Sequence, residues 1–365
     1  MIVRPQSMTM HTPLSLASGQ ALPGFTMAYE TYGEPSPARD NAILICHGLT
    51  ATQHAAGRHE PSDAKPGWWD AAIGPGKPFD TQRYFVVCAN VPGGFGGSTG
   101  PAALHPETGK PYGMGFPMLT IGDMVEAQAR LADSLGIECF HTIAGGCMGG
   151  FQVLEWLQRH PERLARALVI SAGPRVSTHT IALWKVLSDA IRSDPAWNRG
   201  DYYGGQGPES GMALAARIGS LFWMSREAMA KRFALRTVDG KALSYGFTPD
   251  FEVEAFLDNV GRGAGQKIDA NSLLYLMRAM SYFNLSRGVP DLAGVFAGVC
   301  SRTLLVSYAS DWRYPPEETE ELARAMAAAG VPVAHRVFDS TFGHGAFIYD
   351  FEGLGQAIGE FLAAP

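Results

Sequence analysis

Short apolar runs recur along the chain and are the strongest structural signal in its pattern of hydrophobic and polar positions. Runs of this length, bounded by turn residues, are typical of buried parallel strands. Six segments fit that description: AILICHG, YFVVCANV, FHTIAGG, RALVISAG, RTLLVSYAS and AHRVFDSTF. Before them, FTMAYETYG alternates apolar and polar residues and predicts an antiparallel hairpin strand at the edge of the sheet.

Helix signals separate several of these strands. The segment TIGDMVEAQARLADSLG begins with a Thr120-x-x-Asp123 capping box and ends at Gly136. The segment PPEETEELARAMAAAG begins with proline and stops at Gly330. Alternating strands and helices predict an α/β fold with a mostly parallel, doubly wound sheet.

The domain organisation follows from a change of pattern in the middle of the chain. Between Ser177 and about Ala297, strand-like runs give way to helical segments such as GMALAARIGSLFWMSREAMAKRF and NSLLYLMRAMSYFNL. We therefore predict a core built from residues 1–176 and 298–365. Residues 177–297 are predicted to be inserted between these parts as a helical lid.

Composition limits the classes of function. The 365 residues are 46% hydrophobic and 18% charged, with a formal net charge of -6, and they contain no run of basic residues that would bind nucleic acid. The first twenty residues lack the apolar region of a signal peptide, and no stretch of about 18 apolar residues predicts a membrane span. We expect a cytoplasmic protein that binds neither nucleic acid nor membrane.

Metal and disulfide chemistry are not indicated by the residue spacing. The five cysteines are far apart and include no C-x-x-C pair. His54 and His59 lie in a polar loop without the spacing of metal ligands, so we expect no metal site and no bound cofactor. His47, in the segment CHGL, is expected to shape a loop of the active site.

The segment GGCMGG contains a candidate nucleophile. Cys147 follows the strand HTIA and opens the helix GGFQVLEWLQRH, in a G-x-C-x-G arrangement where G-x-S-x-G is usual. A tight turn between strand and helix lifts such a side chain above the sheet, at a helix N-terminus that lowers the pKa of a thiol. Glycines flank the turn because a Cβ would crowd it.

Two further residues follow later strands in the order expected of a catalytic triad. Asp311 stands in SYASDWRYPP and His344 in STFGHGAF. In this arrangement His344 removes the thiol proton and Asp311 holds the imidazole. The oxyanion hole is assigned to the backbone N–H groups of Leu49 and Met148. The alternative interpretation is a buried structural cysteine with an ordinary surface histidine.

At this point the chain resembles the homoserine O-acetyltransferases of the α/β-hydrolase superfamily. The resemblance rests on a series of motifs in order: HGLT, GGSTGP, HPETGKPYG, FPMLTIGDMV, GGCMGG, DANSLLYLMRAM, SDWRYPP and GHGAF. It implies an α/β-hydrolase fold and an acyl-enzyme formed from an acyl-CoA co-substrate. It also implies a hydroxyl acceptor and a homodimer joined through the lid.

The positions that bind substrate in that family are replaced here. The nucleophilic serine is Cys147, and the family motif GHDAF, whose aspartate meets the substrate amine, has Gly345 instead. In the lid, AARIGSLFWMS puts Ala216 in place of a carboxylate-binding arginine and Trp223 in place of a tyrosine. Arg217 substitutes for that arginine only if the helix is rotated. These losses predict an acceptor without the charges of homoserine.

Weaker assignments concern further substrate contacts. Arg175 and Trp184 are candidates for contact with the phosphate or adenine of CoA, although a surface arginine and a core tryptophan are the simpler interpretation. Four residues are candidates for an apolar acyl pocket, with ordinary core packing as the alternative: Met114, Met118, Trp223 and Tyr282.

A thiol nucleophile favours thioester chemistry, because a thiolate leaves more readily than an alkoxide from the intermediate formed with an alkyl ester. We therefore predict transfer of an acyl group, acetyl by resemblance to the family, from acyl-CoA through a Cys147 thioester. A hydrolase of esters, thioesters or lactones is the alternative enzyme. A non-catalytic relative that binds a ligand is the third possibility.

Overall fold

One large sheet organises the chain. The structure is a computed structural model and describes residues 1–364. Its sheet has eight strands in the order β1-β4-β6-β5-β7-β8-β9-β10, and two short strands, β2 and β3, pair separately. The strands are β1 Gln6–Met10, β2 Leu14–Ser15, β3 Ala21–Leu22, β4 Phe25–Tyr32, β5 Ala42–Cys46, β6 Phe85–Ala89, β7 Thr142–Gly146, β8 Arg166–Ile170, β9 Arg302–Tyr308 and β10 Val333–Phe338.

The six apolar runs of the sequence become β5 to β10, and neighbouring members of this set pair in parallel. The prediction of a mostly parallel α/β sheet is thus confirmed. The prediction that FTMAYETYG forms an edge strand is wrong in one respect. Its strand, β4, is antiparallel but lies between β1 and β6, because residues Gln6–Met10 pair along its outer side.

Twelve α-helices surround the sheet in the described part of the chain. They are α1 Ile121–Ser134, α2 Met148–Arg159, α3 Thr178–Arg192, α4 Glu209–Trp223, α5 Arg226–Phe233, α6 Glu252–Gly261, α7 Ala264–Lys267, α8 Ala270–Ser281, α9 Leu292–Val295, α10 Pro316–Ala328, α11 Ala346–Tyr349 and α12 Phe351–Ala363. None of the helices between residues 1 and 364 has the length and hydropathy of a membrane-spanning segment.

Alternate residues of each central strand enter two hydrophobic clusters, one on each face of the sheet. In β5, Leu44 packs with α1 and α2, whereas Ile43 and Ile45 pack on the opposite face with α12. This alternation is expected for a strand covered on both faces. Helix α1 begins as predicted, with the Thr120 and Asp123 side chains forming a reciprocal capping box.

The structure describes every residue between β8 and β9. In this segment the chain forms helices α3 to α9 and no strand. Helix α4 packs between α3 and α6. The pattern change at Ser177 and Ala297 therefore coincides with a helical insertion into the sheet connections. Its separation from the core as a domain stays a prediction.

The connection from β7 to α2 requires two backbones to come very close together. A Cβ built on Gly149, in the first turn of α2, would overlap the carbonyl oxygen of Cys46 at the end of β5. A Cβ on Gly145 would overlap the backbone of Gly149. Glycine at these positions lets α2 begin directly above the sheet, as the sequence predicted.

Gly149→Ala should lower the free energy of unfolding by about 3 kcal/mol, because a buried backbone carbonyl has no room to move aside. Gly359 on α12 is the matched control, since nothing lies within 4 Å of a Cβ built there. Gly359→Ala should raise stability by up to about 1 kcal/mol through helix propensity. Denaturant unfolding of both variants measures the difference, and equal stabilities would contradict the close approach.

Candidate active site

Cys147 occupies the turn between β7 and α2. Its backbone has φ 58° and ψ -123°, a conformation that residues with a Cβ rarely adopt. Such strain persists only where the surrounding structure fixes it, here through the glycines on both sides. The turn places the sulfur in the wall of a cavity, and the residue is only 3% exposed.

Asp311 and His344 come from the loops that follow β9 and β10. His344 Nδ1 donates a hydrogen bond to Asp311 Oδ2 over 2.8 Å, and both side chains are fully buried. The other carboxylate oxygen of Asp311 accepts the backbone N–H groups of Arg313 and Tyr314, each at 3.1 Å. The carboxylate is thus held on both oxygens, which fixes the orientation of the imidazole.

The second ring nitrogen of His344 interacts with Cys147. His344 Nε2 is buried and makes no hydrogen bond of ordinary geometry within residues 1–364. Its interaction with the nearby sulfur is therefore mainly electrostatic. Contacts of this kind often tighten only when substrate binds. The structure thus brings Cys147, His344 and Asp311 together in the predicted order.

Electrostatics favour a thiolate facing an imidazolium. Burial by itself would raise the pKa of Cys147, but His344, the Arg313 guanidinium and the Met148 N–H outweigh it and lower that pKa. Burial would lower the pKa of His344, but the charges of Asp311 and Cys147 raise it. The pair therefore resembles the activated cysteine of other nucleophilic enzymes more than a structural thiol.

The loop after β5 faces the cysteine from across the cavity. Leu49 lines the cavity beside Gly48, and a Cβ on Gly48 would lie 4.0 Å from that of Cys147. His47 fixes this loop: its Nδ1–H donates to Gly48 O over 2.8 Å, and its Nε2 accepts the Val91 N–H over 3.1 Å. Burial lowers the pKa of His47 to about 4, so the ring is neutral, as these bonds require.

The cavity above Cys147 has a volume of about 300 Å³. Its walls come from the loop after β5, from helices α3, α4, α6 to α8 and α11, and from the loop after β9. Most lining residues are apolar or small. The lining includes Leu49, Trp68, Trp184, Leu187, Met212, Ala215, Ala216, Trp223, Leu273, Arg313 and Phe347.

Helix α4 presents Ala216 and Trp223 to this cavity, at a spacing of seven residues that places them on one face. Trp223 also packs edge-on against the His344 ring, with ring centroids 5.0 Å apart. A Cβ on Gly345 would collide with the indole nitrogen of Trp223. The glycine and the tryptophan are therefore a matched pair, since a larger residue at 345 would displace the indole.

Several other predicted substrate contacts lie elsewhere. Arg217 points away from the cavity and pairs with Asp258 of α6 at 3.0 Å. Tyr282 is 41% exposed and lies in an outer groove. Met114 and Met118 also line surface grooves rather than the Cys147 cavity. Of the four candidates for the acyl pocket, only Trp223 reaches the cavity, because the others lie on the far side of α3 or α8.

The two residues predicted to contact CoA, Arg175 and Trp184, also lie in surroundings other than those expected. Arg175 makes two bonds of 2.9 Å to Glu321, so its guanidinium already has a carboxylate partner. Trp184 is buried and lines the Cys147 cavity instead of meeting an adenine at the surface. The simpler interpretation of both residues fits the structure better.

Arg313 is the residue that the sequence analysis missed. The residue is only 7% exposed, and its guanidinium carbon lies 5.0 Å from the centroid of the Trp184 ring. Its Nε has no hydrogen-bond partner within the described part of the chain. The residue is visible in SDWRYPP, but only the folded lid shows that this cation faces the cavity.

The pH dependence of Cys147 alkylation tests the thiolate. Because the pKa of Cys147 is lowered, the thiolate persists below the ordinary thiol pKa and is lost only at more acidic pH. Its rate with iodoacetamide should fall less between pH about 8.5 and about 6.5 than the about fiftyfold expected for a free thiol. Peptide mass mapping at each pH measures the rate.

Cys139 provides an internal control, because it is exposed and burial of part of its side chain raises its pKa. Its alkylation should fall steeply over the same range. His344→Gln should steepen the profile of Cys147, since the largest opposing charge is removed. A Cys147 profile as steep as that of Cys139 in the unmodified protein would contradict the ion pair.

Comparison with known proteins gives the same fold and the same family. The protein-family model described as "alpha/beta hydrolase fold" matches residues 41–351 of this chain. A homoserine O-succinyltransferase of Acidithiobacillus ferrooxidans is 44% identical over 349 residues, covering 95% of this chain and 91% of the relative. The crystal structure of homoserine O-acetyltransferase from Bacillus anthracis superposes with a TM-score of 0.92 at 27% identity, covering 100% and 98% of the two chains.

A second kind of enzyme shares this architecture. The crystal structure of esterase E22 superposes with a TM-score of 0.88 at 26% identity, covering 99% of this chain and 100% of that one. The higher identity and nearly complete coverage of the acyltransferase relative decide the family. The chain belongs to the homoserine O-acyltransferase family within the α/β-hydrolase superfamily.

Proposed function

We propose that this enzyme moves an acyl group from an acyl-CoA thioester to an uncharged hydroxyl acceptor through a thioester on Cys147. The observation that carries the proposal is the cavity itself. A thiol of lowered pKa, paired with the buried His344–Asp311 couple, faces a mainly apolar cavity. Two proteins similar to this chain are named as acyltransferases.

Acylation begins when the Cys147 thiolate attacks the thioester carbonyl carbon. The carbonyl oxygen becomes an oxyanion, for which the N–H groups of Leu49 and Met148 are the proposed donors. When the intermediate collapses, the bond from carbon to the CoA sulfur breaks. His344 then gives its proton to the CoA thiolate, leaving an acyl group on Cys147 and a neutral imidazole.

Deacylation uses the same groups in reverse. Once Cys147 is acylated, it has lost the negative charge that helps to raise the pKa of His344. The neutral imidazole then takes the proton of the acceptor hydroxyl as its oxygen attacks the thioester. Asp311 stabilises the resulting imidazolium, and the thiolate of Cys147 leaves.

Cysteine suits a thioester donor for an energetic reason. Exchange of one thioester for another costs almost no free energy and keeps the acyl group activated for the second step. An alkyl ester donor would instead produce an intermediate from which the thiolate leaves in preference to the alkoxide. The nucleophile therefore favours acyl-CoA over an ester as the first substrate.

Arg313 bears on the acyl group of the donor. Arg313 is among the residues that line the cavity, and a guanidinium there is a binding partner for a carboxylate. A short acyl chain that ends in a carboxylate, such as succinyl, would supply that partner, and an acetyl group would not. We therefore propose succinyl-CoA as a better donor than acetyl-CoA, consistent with the name of the Acidithiobacillus ferrooxidans relative.

The acceptor is defined by what the cavity lining offers. No aspartate or glutamate is among the described residues that line it, so an ammonium group would enter without a counter-charge. Ala216, Trp223 and Gly345 leave no side chain to bind a free amino acid at both charged ends. The relatives are named for homoserine, but this lining favours an alcohol that lacks the ammonium group.

Hydrolysis is the second candidate function, and the structural likeness to esterase E22 favours it. The same triad would hydrolyse the acyl-enzyme if water reached the thioester. The two functions differ in the rate of CoA release without an acceptor.

CoA release should distinguish these functions. With succinyl-CoA, 1-propanol should accelerate release and yield propyl succinate, whereas L-homoserine should accelerate it much less. Without an acceptor, release should stay slow after the first turnover. The kcat/KM for succinyl-CoA should exceed that for acetyl-CoA by about tenfold or more, the effect expected of one charge-assisted bond.

Arg313→Leu is the control for the donor. Both donors react with the same thiol, so any change in Cys147 reactivity cancels in the ratio of their kcat/KM values. The variant should bring that ratio close to one. Fast release without any acceptor would establish the hydrolase instead. A larger acceleration by homoserine than by 1-propanol would overturn the proposed acceptor.

A further inference from the structure

A second polar cluster lies away from the triad, between β4 and the loop after β5. Glu30 of β4 is completely buried. Its Oε2 atom accepts a hydrogen bond from His54 Nδ1 over 2.9 Å, and its Oε1 atom accepts one from His59 Nε2 over 2.7 Å. The spacing of the two histidines gave no sign of this arrangement, because the residue that unites them comes from a distant strand.

The ligand atoms of the cluster converge on one point. One imidazole nitrogen from each histidine and one carboxylate oxygen of Glu30 all lie within 4.8 Å of one another. In a tetrahedral zinc site with bonds of about 2.0 to 2.2 Å, ligand atoms are about 3.3 Å apart. Small rotations of the two imidazoles therefore suffice to place all three atoms around a single cation.

The carboxylate is prepared for a cation. The buried Glu30 carboxylate accepts hydrogen bonds from three side chains, those of His54, His59 and Tyr32. The Tyr32 hydroxyl donates to Glu30 Oε2 over 2.9 Å and orients the carboxylate. Outer partners of this kind are typical of metal sites, where they fix the direction of a ligand.

One side of the cluster is open to solvent. The side chain of His59 is 39% exposed and that of His54 is 21% exposed. Three protein ligands with access for water match zinc sites that keep a fourth position for a solvent molecule. Two imidazoles and one carboxylate suit divalent transition metals better than Ca²⁺ or Mg²⁺, which prefer oxygen ligands.

We propose that Glu30, His54 and His59 form a binding site for one divalent transition-metal cation, with Zn²⁺ the best match. On binding, the ring nitrogen of each histidine that faces Glu30 gives up its proton, to solvent or to the other ring nitrogen, so that the facing nitrogen offers its lone pair. The cation then replaces the two hydrogen bonds to the carboxylate. No change in the oxidation state of the metal or of the protein is involved.

The site would stabilise a wall of the catalytic cavity. The loop that carries His54 begins at Leu49, which lines the cavity, and Trp68 lines it further along the chain. Trp68 donates its indole N–H to Thr52 O over 2.9 Å and its backbone N–H to His54 O over 3.2 Å. A cation on His54 therefore holds the backbone to which Trp68 is bonded. Its role is positioning and not catalysis.

Calorimetric titration of the full chain, freed of metal by a chelator, with ZnCl₂ tests the proposal. We expect one Zn²⁺ per chain with a dissociation constant of about 1 μM or below. Saturation should raise the midpoint of thermal unfolding by several degrees. Co²⁺ in place of Zn²⁺ should give visible absorption without the charge-transfer band that a thiolate ligand adds.

Three variants locate the site. His59→Gln removes a direct ligand and should weaken Zn²⁺ binding at least about a hundredfold. Loss of even an outer hydrogen-bond partner of a ligand lowers metal affinity by about ten- to a hundredfold. His11→Gln replaces an exposed histidine outside the cluster and should bind like the unmodified protein. Cys147→Ser should also bind normally, which separates this site from binding by the catalytic thiol.

A dissociation constant above about 100 μM for the unmodified protein would overturn the proposal without any variant. Equal binding by the His59→Gln variant would do the same, as would loss of binding in Cys147→Ser. Circular dichroism of each variant confirms that it is folded, which is expected because His59 and His11 are at least partly exposed.

Discussion

The chemistry of this protein depends on one buried electrostatic arrangement. His344 lies between a carboxylate that is fixed by three hydrogen bonds and a thiol with little solvent around it. In such surroundings a charge is stable only beside an opposite charge. The positive imidazole therefore favours both Asp311 and Cys147 as anions. In the mechanism that we propose, the thiol acts as a nucleophile without leaving the interior.

The fold supplies this arrangement through the ends of three parallel strands. Strands β7, β9 and β10 end at the same edge of the sheet, so residues far apart in the chain meet there. The close approach of α2 to β5 fixes the first of them. Helices α3, α4 and α6 to α8 of the helical insertion then line the cavity above the site.

The lining of the cavity is the basis of the acceptor that we propose for this member of the family. Trp223 and Gly345 fit each other, because the indole occupies the space that a side chain at 345 would need. Among the described residues that line the cavity, Arg313 is a cation and none is an aspartate or glutamate. A pocket with one cation and no anion accepts a carboxylate on one substrate more easily than a zwitterion.

Much of the fold was predictable because short apolar runs and helix caps are local signals. The strand ends that carry Cys147, Asp311 and His344 follow from the same signals. Strand β1 was missed because Gln6–Met10 is mostly exposed and has no clear alternation of apolar residues. Its identity as a strand depends on pairing with β4, which no local pattern reveals.

The substrate contacts were harder to predict, because they depend on how the lid packs. Arg217 and Ala216 are neighbours in the sequence, but about 100° of helical rotation separates their side chains. One faces Asp258 and the other faces the cavity. Arg313 and Glu30 acquire their surroundings from segments more than twenty residues away, so neither was recognisable from its own neighbourhood.

The most direct test of the account is the mass of the intact protein shortly after mixing with succinyl-CoA in the absence of an acceptor. We expect a gain of one succinyl group on the unmodified chain, located on Cys147 by peptide mapping and removed by neutral hydroxylamine, as is typical of a thioester. His344→Gln should acquire the group much more slowly. Release of CoA from a chain that stays unmodified at every time, or an adduct on another residue, would contradict it.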